Sequence, residues 1–156
     1  MRDMIFHTKG VFYRDTYYVH VSFLVDVRRP YRRVRVYLAY DPLFCEAPDA
    51  RQVQEMRDAL RDQIYRTDEP FVQNCVDRAY PIKNEISIAA RGPAGWLGEH
   101  HSFIDGTDEV ILGEEATDGF FRRPNEAGQY EIVLHVFGVY TPECRYSLEI
   151  TGEDEP

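Results

Sequence analysis

The sequence predicts a mainly β chain: an antiparallel, jelly-roll-like β-sandwich with an α-helical insertion at about 48–80. Three observations predict it. Residues 17–26, 33–40, 85–91 and 145–151 alternate apolar and polar side chains, the period of a half-buried strand. Residues 130–140 are apolar on both faces, as a strand inside a packed sheet must be. Between these runs, the apolar residues of 49–65 fall at helical spacing.

The elements are justified in order. In Tyr17 to Asp26, Tyr17, Val19, Val21, Phe23 and Val25 share one face, and Tyr18, His20, Ser22, Leu24 and Asp26 the other. A turn at Arg28-Arg29-Pro30 follows, and Val34, Val36, Leu38 and Tyr40 then face inward, so the two runs read as a local antiparallel hairpin. Pro48 suits a first helical turn. Val53, Met56, Leu60 and Ile64 form one stripe, expected to pack on the domain's own sheet. Thr67 or Asp68 is placed to cap a second helix, with Phe71, Val72, Cys75, Val76 and Ala79 at helical offsets and Pro81 ending it. Strands resume at 85–91, with Ile86, Ile88 and Ala90 inward. They continue at 109–112, at 130–140 and at 145–151, with Tyr146, Leu148 and Ile150 inward.

The chain has 156 residues, the size of one domain. The expected division is a single sandwich over 1–152 and an acidic tail at 153–156. The formal net charge of −9 repels phosphate backbones and anionic lipid, which argues against a general nucleic-acid or membrane-surface binder. At 44% hydrophobic and 13% aromatic the chain is too apolar to be disordered. No apolar run approaches the roughly 20 residues that span a bilayer, and Met1 to His7 lack the apolar core of a signal peptide. Cys45, Cys75 and Cys144 are odd in number and far apart, so reduced thiols and a cytoplasmic location are expected.

Four groups of residues are candidates for chemistry. Glu99, His100 and His101 stand together, but adjacent histidines on a strand point to opposite faces and cannot share an ion without a bend. His7, His20 and His135 join them only if the fold brings them close. Glu114, Glu115 and Asp118 precede Gly119 at a spacing unlike a twelve-residue calcium loop, and read as a turn. Arg28, Arg29, Arg32, Arg33 and Arg35 concentrate guanidinium groups suited to carboxylates or phosphates, or to balancing nearby acids. Trp96, the only tryptophan, lies in Gly92-Pro93-Ala94-Gly95-Trp96-Leu97-Gly98. It reads as a loop aromatic, either a plug over the core edge or a platform for a sugar or a partner's apolar side chain. The amino-terminal tyrosines would equally suit a subunit contact. No Gly-x-Ser-x-Gly, no Cys beside a His and no glycine-rich phosphate loop occurs.

Three stretches carry a resemblance. They are Val21-Ser22-Phe23-Leu24-Val25 followed by Val34 to Pro42; Ile88-Ala89-Ala90-Arg91-Gly92-Pro93-Ala94-Gly95-Trp96-Leu97-Gly98; and Glu115 to Phe120 followed by Ala127 to Leu134. In that order they resemble the amino-terminal β-sandwich domain of CehA/McbA-type proteins of the PHP superfamily, over about two-thirds of the chain. In that family the catalytic metal ligands lie in a downstream domain. The resemblance therefore assigns no catalytic residue here and implies a free-standing accessory sandwich. The helical segment 48–80 and Arg122-Arg123-Pro124-Asn125 depart from its pattern.

The expected function is a non-catalytic binding or protein-interaction module, needing no cofactor or metal. Its contacts would be made through Trp96, Glu99, His101, Arg33 and Arg35, to a second copy, another protein, or a small-molecule or sugar ligand. The alternative is a small metal-dependent enzyme using the cluster at 99–101 with His135.

Overall fold

The computed structural model describes residues 2–63, 69–78, 82–101 and 106–154. In chain order these form β1 (Arg2–Tyr13), β2 (Tyr17–Val27), β3 (Arg33–Asp41), β4 (Phe44–Cys45), α1 (Ala50–Gln63), α2 (Glu69–Arg78), β5 (Ile82–Lys83), β6 (Glu85–Gly92), β7 (Gly95–His100), β8 (Thr107–Gly113), β9 (Gly128–Gly138) and β10 (Glu143–Glu153). Two four-stranded sheets have the orders β1-β10-β3-β8 and β2-β9-β6-β7, and β4 pairs with β5 in a small ribbon. All pairings are antiparallel. Apart from the β4–β5 ribbon, successive strands cross between the two sheets except for the β6–β7 hairpin, which is the strand order of a jelly roll.

The inner faces follow the alternation. Val34, Val36 and Leu38 of β3, Val110 and Leu112 of β8, and Leu148 and Ile150 of β10 face Ile86, Ile88 and Ala90 of β6 and Ile132, Leu134 and Val136 of β9. All are at most 1% exposed. Each large aliphatic side chain so buried contributes roughly 1.5–3 kcal/mol relative to exposure.

The helices hang at one end of the sandwich. Asp49 caps α1: its Oδ1 accepts the Gln52 amide at 2.9 Å while Gln52 Oε1 accepts the Asp49 amide at 2.9 Å, a reciprocal capping box. Pro48 therefore stands just before the cap, not in the first turn as expected from sequence. Gln52 is fully buried and donates Nε2 to the Tyr140 carbonyl at 2.6 Å, tying the helix to the corner between β9 and β10. Val53 and Met56 pack on Cys45, Ile82 and Tyr140, the sheet-side packing expected of the stripe. Fully buried Asn84 locks the same end, donating to Pro42 O and Thr141 Oγ1, both at 2.7 Å, and accepting the Tyr140 amide at 2.8 Å. The side chains of Leu60, Val72, Cys75 and Val76, and residues Ile64, Tyr65, Thr67, Asp68, Ala79 and Pro81, lie outside the described residues.

Four expectations are corrected. Residues 17–26 and 33–40 are not a hairpin: β2 pairs with β9, and β3 with β10 and β8. Both strands are near one another in the chain, but each finds a fuller apolar partner across the sequence, and residues 28–32 carry the crossing. β1 was not anticipated, because charges at Arg2, Asp3, His7 and Lys9 and an irregularity between Met4 and Phe6 mask its alternation. Trp96 sits in a strand and not in a loop, the turn being Pro93-Ala94. Glu153, expected in the acidic tail, belongs to β10, and Asp154 beyond it binds Arg29 at 2.7 Å; 155 and 156 lie outside the described residues.

Candidate binding surfaces

The outer face of the β2-β9-β6-β7 sheet brings most of the candidates together. Register and pleat set its rows. Leu24, Glu131, Arg91 and Trp96 form one; Ser22, Val133, Ala89 and Glu99 the next; His20, His135 and Ser87 the third, ending beside His101. Ser87 and Ala89 are at most 1% exposed, so larger neighbours stand around a floor of small side chains. The His20 and His135 rings stack with centroids 4.2 Å apart. Glu99 Oε2 lies 4.0 Å from His135 Nδ1, and Phe137 packs on His101 at 5.1 Å. Burial first, then the neighbouring His20, holds the His135 imidazole below its usual pKa and favours its neutral form. Ser87 Oγ is buried with no hydrogen-bond partner among the described residues.

Trp96 is 44% exposed yet fixed by its backbone. Residues 119–121 run along the free edge of β7: Glu99 N donates to Gly119 O at 3.3 Å and Phe121 N to Leu97 O at 2.8 Å. A Cβ on Gly98 would fall 2.1 Å from Gly119 O, so the approach requires glycine there. Gly119 has φ +96, the conformation expected of the Asp118-Gly119 turn. Arg123 Nη2 reaches Trp96 O at 3.5 Å, and Phe121 is 63% exposed on the same margin.

His100 points to the opposite side of its strand from Glu99 and His101, as two-residue periodicity demands. Its Nδ1 lies 2.9 Å from Asp108 Oδ1 of β8, and burial raises the Asp108 carboxyl. The carboxylate orients the imidazole as in a base–orienter pair.

Arg33 and Arg35 lie on the outer face of the other sheet. There Arg32 and Arg33 share Glu115, Arg35 binds Glu109, Arg2 binds Glu153 at 2.7 Å, and Arg29 bridges Asp3 and Asp154. These acids hold most of the arginine cluster within the molecule. Arg2, Arg35, Tyr37, Glu149 and Thr151 line a shallow groove of about 160 Å³. At the Pro93 end a second concavity holds only about 10 Å³, because Asn125 plugs it through Leu112 O at 2.8 Å and Tyr31 O at 3.2 Å.

The structure thus joins Glu99, His135 and His20, places Trp96 one row away, and sends His100, Arg33 and Arg35 elsewhere. Among the described residues no three His, Cys, Asp or Glu side chains are arranged to hold a metal ion. Cys45 and Cys144 are buried free thiols, and burial pushes Cys144 up to about 11, out of nucleophilic range. Asp108, Ser87 and Phe121 were not singled out from sequence. Asp108 and Ser87 had only strand parity as a signal and Phe121, outside any strand, had none; their neighbours come from distant segments. Among the described residues, no helix is long and apolar enough to cross a membrane. No family model matches the chain, and no curated protein does.

Proposed function

We propose that this chain is a non-catalytic binding module of a reducing compartment such as the cytoplasm, an accessory-domain-like sandwich. Its ligand surface is the outer face of the β2-β9-β6-β7 sheet around Trp96 and Glu99. The carrying observation is Trp96: a large aromatic, 44% exposed, on a strand whose backbone is paired with β6 on one edge and with residues 119–121 on the other. A strand already held on both edges presents its exposed ring with no backbone left to order on binding. Beside it lie the Arg91 guanidinium and the Glu99 carboxylate, with Ala89 between them as a small floor. A flat apolar patch bordered by hydrogen-bonding charges fits a ligand with one apolar and one polar side, and a sugar ring has that character.

Because Trp96 is the only tryptophan, its fluorescence reports directly on this face. Titration with a panel of neutral, acidic and amino-oligosaccharides is expected to give saturable quenching for one class. Trp96→Ala, followed by calorimetry, is expected to weaken that binding at least about tenfold with an unchanged melting temperature. No saturable response across the panel, or equal binding by Trp96→Ala, overturns the reading.

A further inference from the structure

The four edges of the two sheets are protected unequally. The β7 edge is covered by residues 119–121. The β8 edge is covered too: Thr117 N donates to Ile111 O at 2.9 Å, Ile111 N donates to Thr117 Oγ1 at 2.9 Å, and Arg123 N donates to Gly113 O at 3.2 Å. β1 carries Arg2, Asp3, His7 and Lys9 and breaks register between Met4 and Phe6. Bulges and charges are the ordinary means of blunting an edge. β2 has none of these over Val19-His20-Val21-Ser22-Phe23-Leu24-Val25. The run contains no charged residue, no proline and no glycine, and it keeps unbroken register with β9. Among the described residues its ladder partner is β9 alone, on one side.

The packing beneath is also unfinished. Val21 and Phe23 face the core but are only half-buried, and Val19 is 39% exposed. Phe6, Phe23 and Tyr146 close the seam between β1 and β2 with ring centroids 5.8 and 6.5 Å apart.

We infer that β2 pairs with β2 of a second copy of this chain about a two-fold axis through Ser22, joining two sheets into one of eight strands. The run is its own complement in that register. Val19 meets Val25 and Val21 meets Phe23 on the inner side; His20 meets Leu24 on the outer side; Ser22 meets itself. An antiparallel pair matches inner to inner side chains only when the axis passes through a residue. Ser22 is the centre of the regular uncharged run, which the positive φ of Tyr18 ends on one side and the charge of Asp26 on the other. A foreign strand would find no charge on it to fix either register or identity, whereas a second copy needs none.

Ser22 is exposed, so substituting it leaves the sandwich intact. Light scattering on the full chain at about 100 µM is expected to give twice the 18.3 kDa chain mass, with a subunit dissociation constant raised about a thousandfold in Ser22→Lys and in Ser22→Glu, each leaving 18.3 kDa. Mixing these two variants one to one restores the doubled mass, because Lys then faces Glu. A wild-type mass of 18.3 kDa, a Ser22→Lys variant that stays doubled, or a mixture that stays single overturns the inference. The first of these outcomes leaves the edge to a strand from another protein. Trp96→Ala does not touch this edge and keeps the doubled mass, so the two proposals fail separately.

Discussion

The two outer faces of the sandwich arise from the same alternation and differ in what stands at the outward positions. On the β1-β10-β3-β8 face, arginines stand within reach of acids: Arg2 with Glu153, Arg33 with Glu115, Arg35 with Glu109. On the β2-β9-β6-β7 face, outward positions carry imidazoles, small residues and exposed Leu24 and Trp96, and the Arg91–Glu131 pair is loose at 4.0 Å. A face whose charges are already matched gains little from an outside ion, since a new partner must displace an old one. A face of rings and half-buried imidazoles still gains when water is removed. Charge density in a sequence is therefore a weak guide to where a ligand binds.

Four experiments break or sharpen that comparison. The largest expected effect is a control beneath both faces. Leu148→Ala and Leu134→Ala each remove a fully buried side chain and should each cost about 2–5 kcal/mol by urea denaturation. Unequal losses would mean that the faces differ in their cores and not only at their surfaces. Next, Arg35→Ala should leave oligosaccharide titration curves unchanged where Trp96→Ala moves them at least about tenfold; equal losses would erase the distinction.

The third experiment is acid titration of stability. The folded His135 imidazole has a lowered pKa, so the unfolded chain binds the proton more readily. The stability it contributes is present above the ordinary histidine range and is lost as pH falls through the lowered native value. His135→Asn should flatten thermal stability against pH below about 6.5, the unperturbed histidine value. An identical slope in both proteins would show that His135 does not couple to folding. The smallest effect is expected for the Arg35–Glu109 pair: a double-mutant cycle should return about 0–1 kcal/mol, shrinking further in about 1 M salt. A coupling well above that would make the charged face a structural device.

Parity and period were readable without coordinates. The inward sets at 34–40, 86–90, 132–136 and 146–150 are the core, and of the described part of the α1 stripe Met56 is buried and Val53 half-buried. The opposed directions of His100 and His101 followed from the same rule. The site was less legible. His20 and His135 are 115 positions apart in the chain and stack because β2 and β9 are neighbours, which no local pattern encodes. Trp96 read as a loop residue because glycines and a proline surround it. Gly98 instead serves the close approach of Gly119, a contact visible only once residues 119–121 are laid along β7.

The sequence by itself therefore determined which side chains turn inward, where the helices interrupt the strands, and that the chain closes two apolar layers. These follow from periods of two and 3.6 residues, properties of the backbone that neighbours in the chain report. Tertiary structure alone decided which strand lies beside which. That choice turned the expected 17–40 hairpin into two strands of different sheets, matched the arginines to distant acids, and, among the described residues, left β2 with one open side. Pairing is settled by burying every strand on its best apolar partner at once, and that optimum is a property of the whole chain.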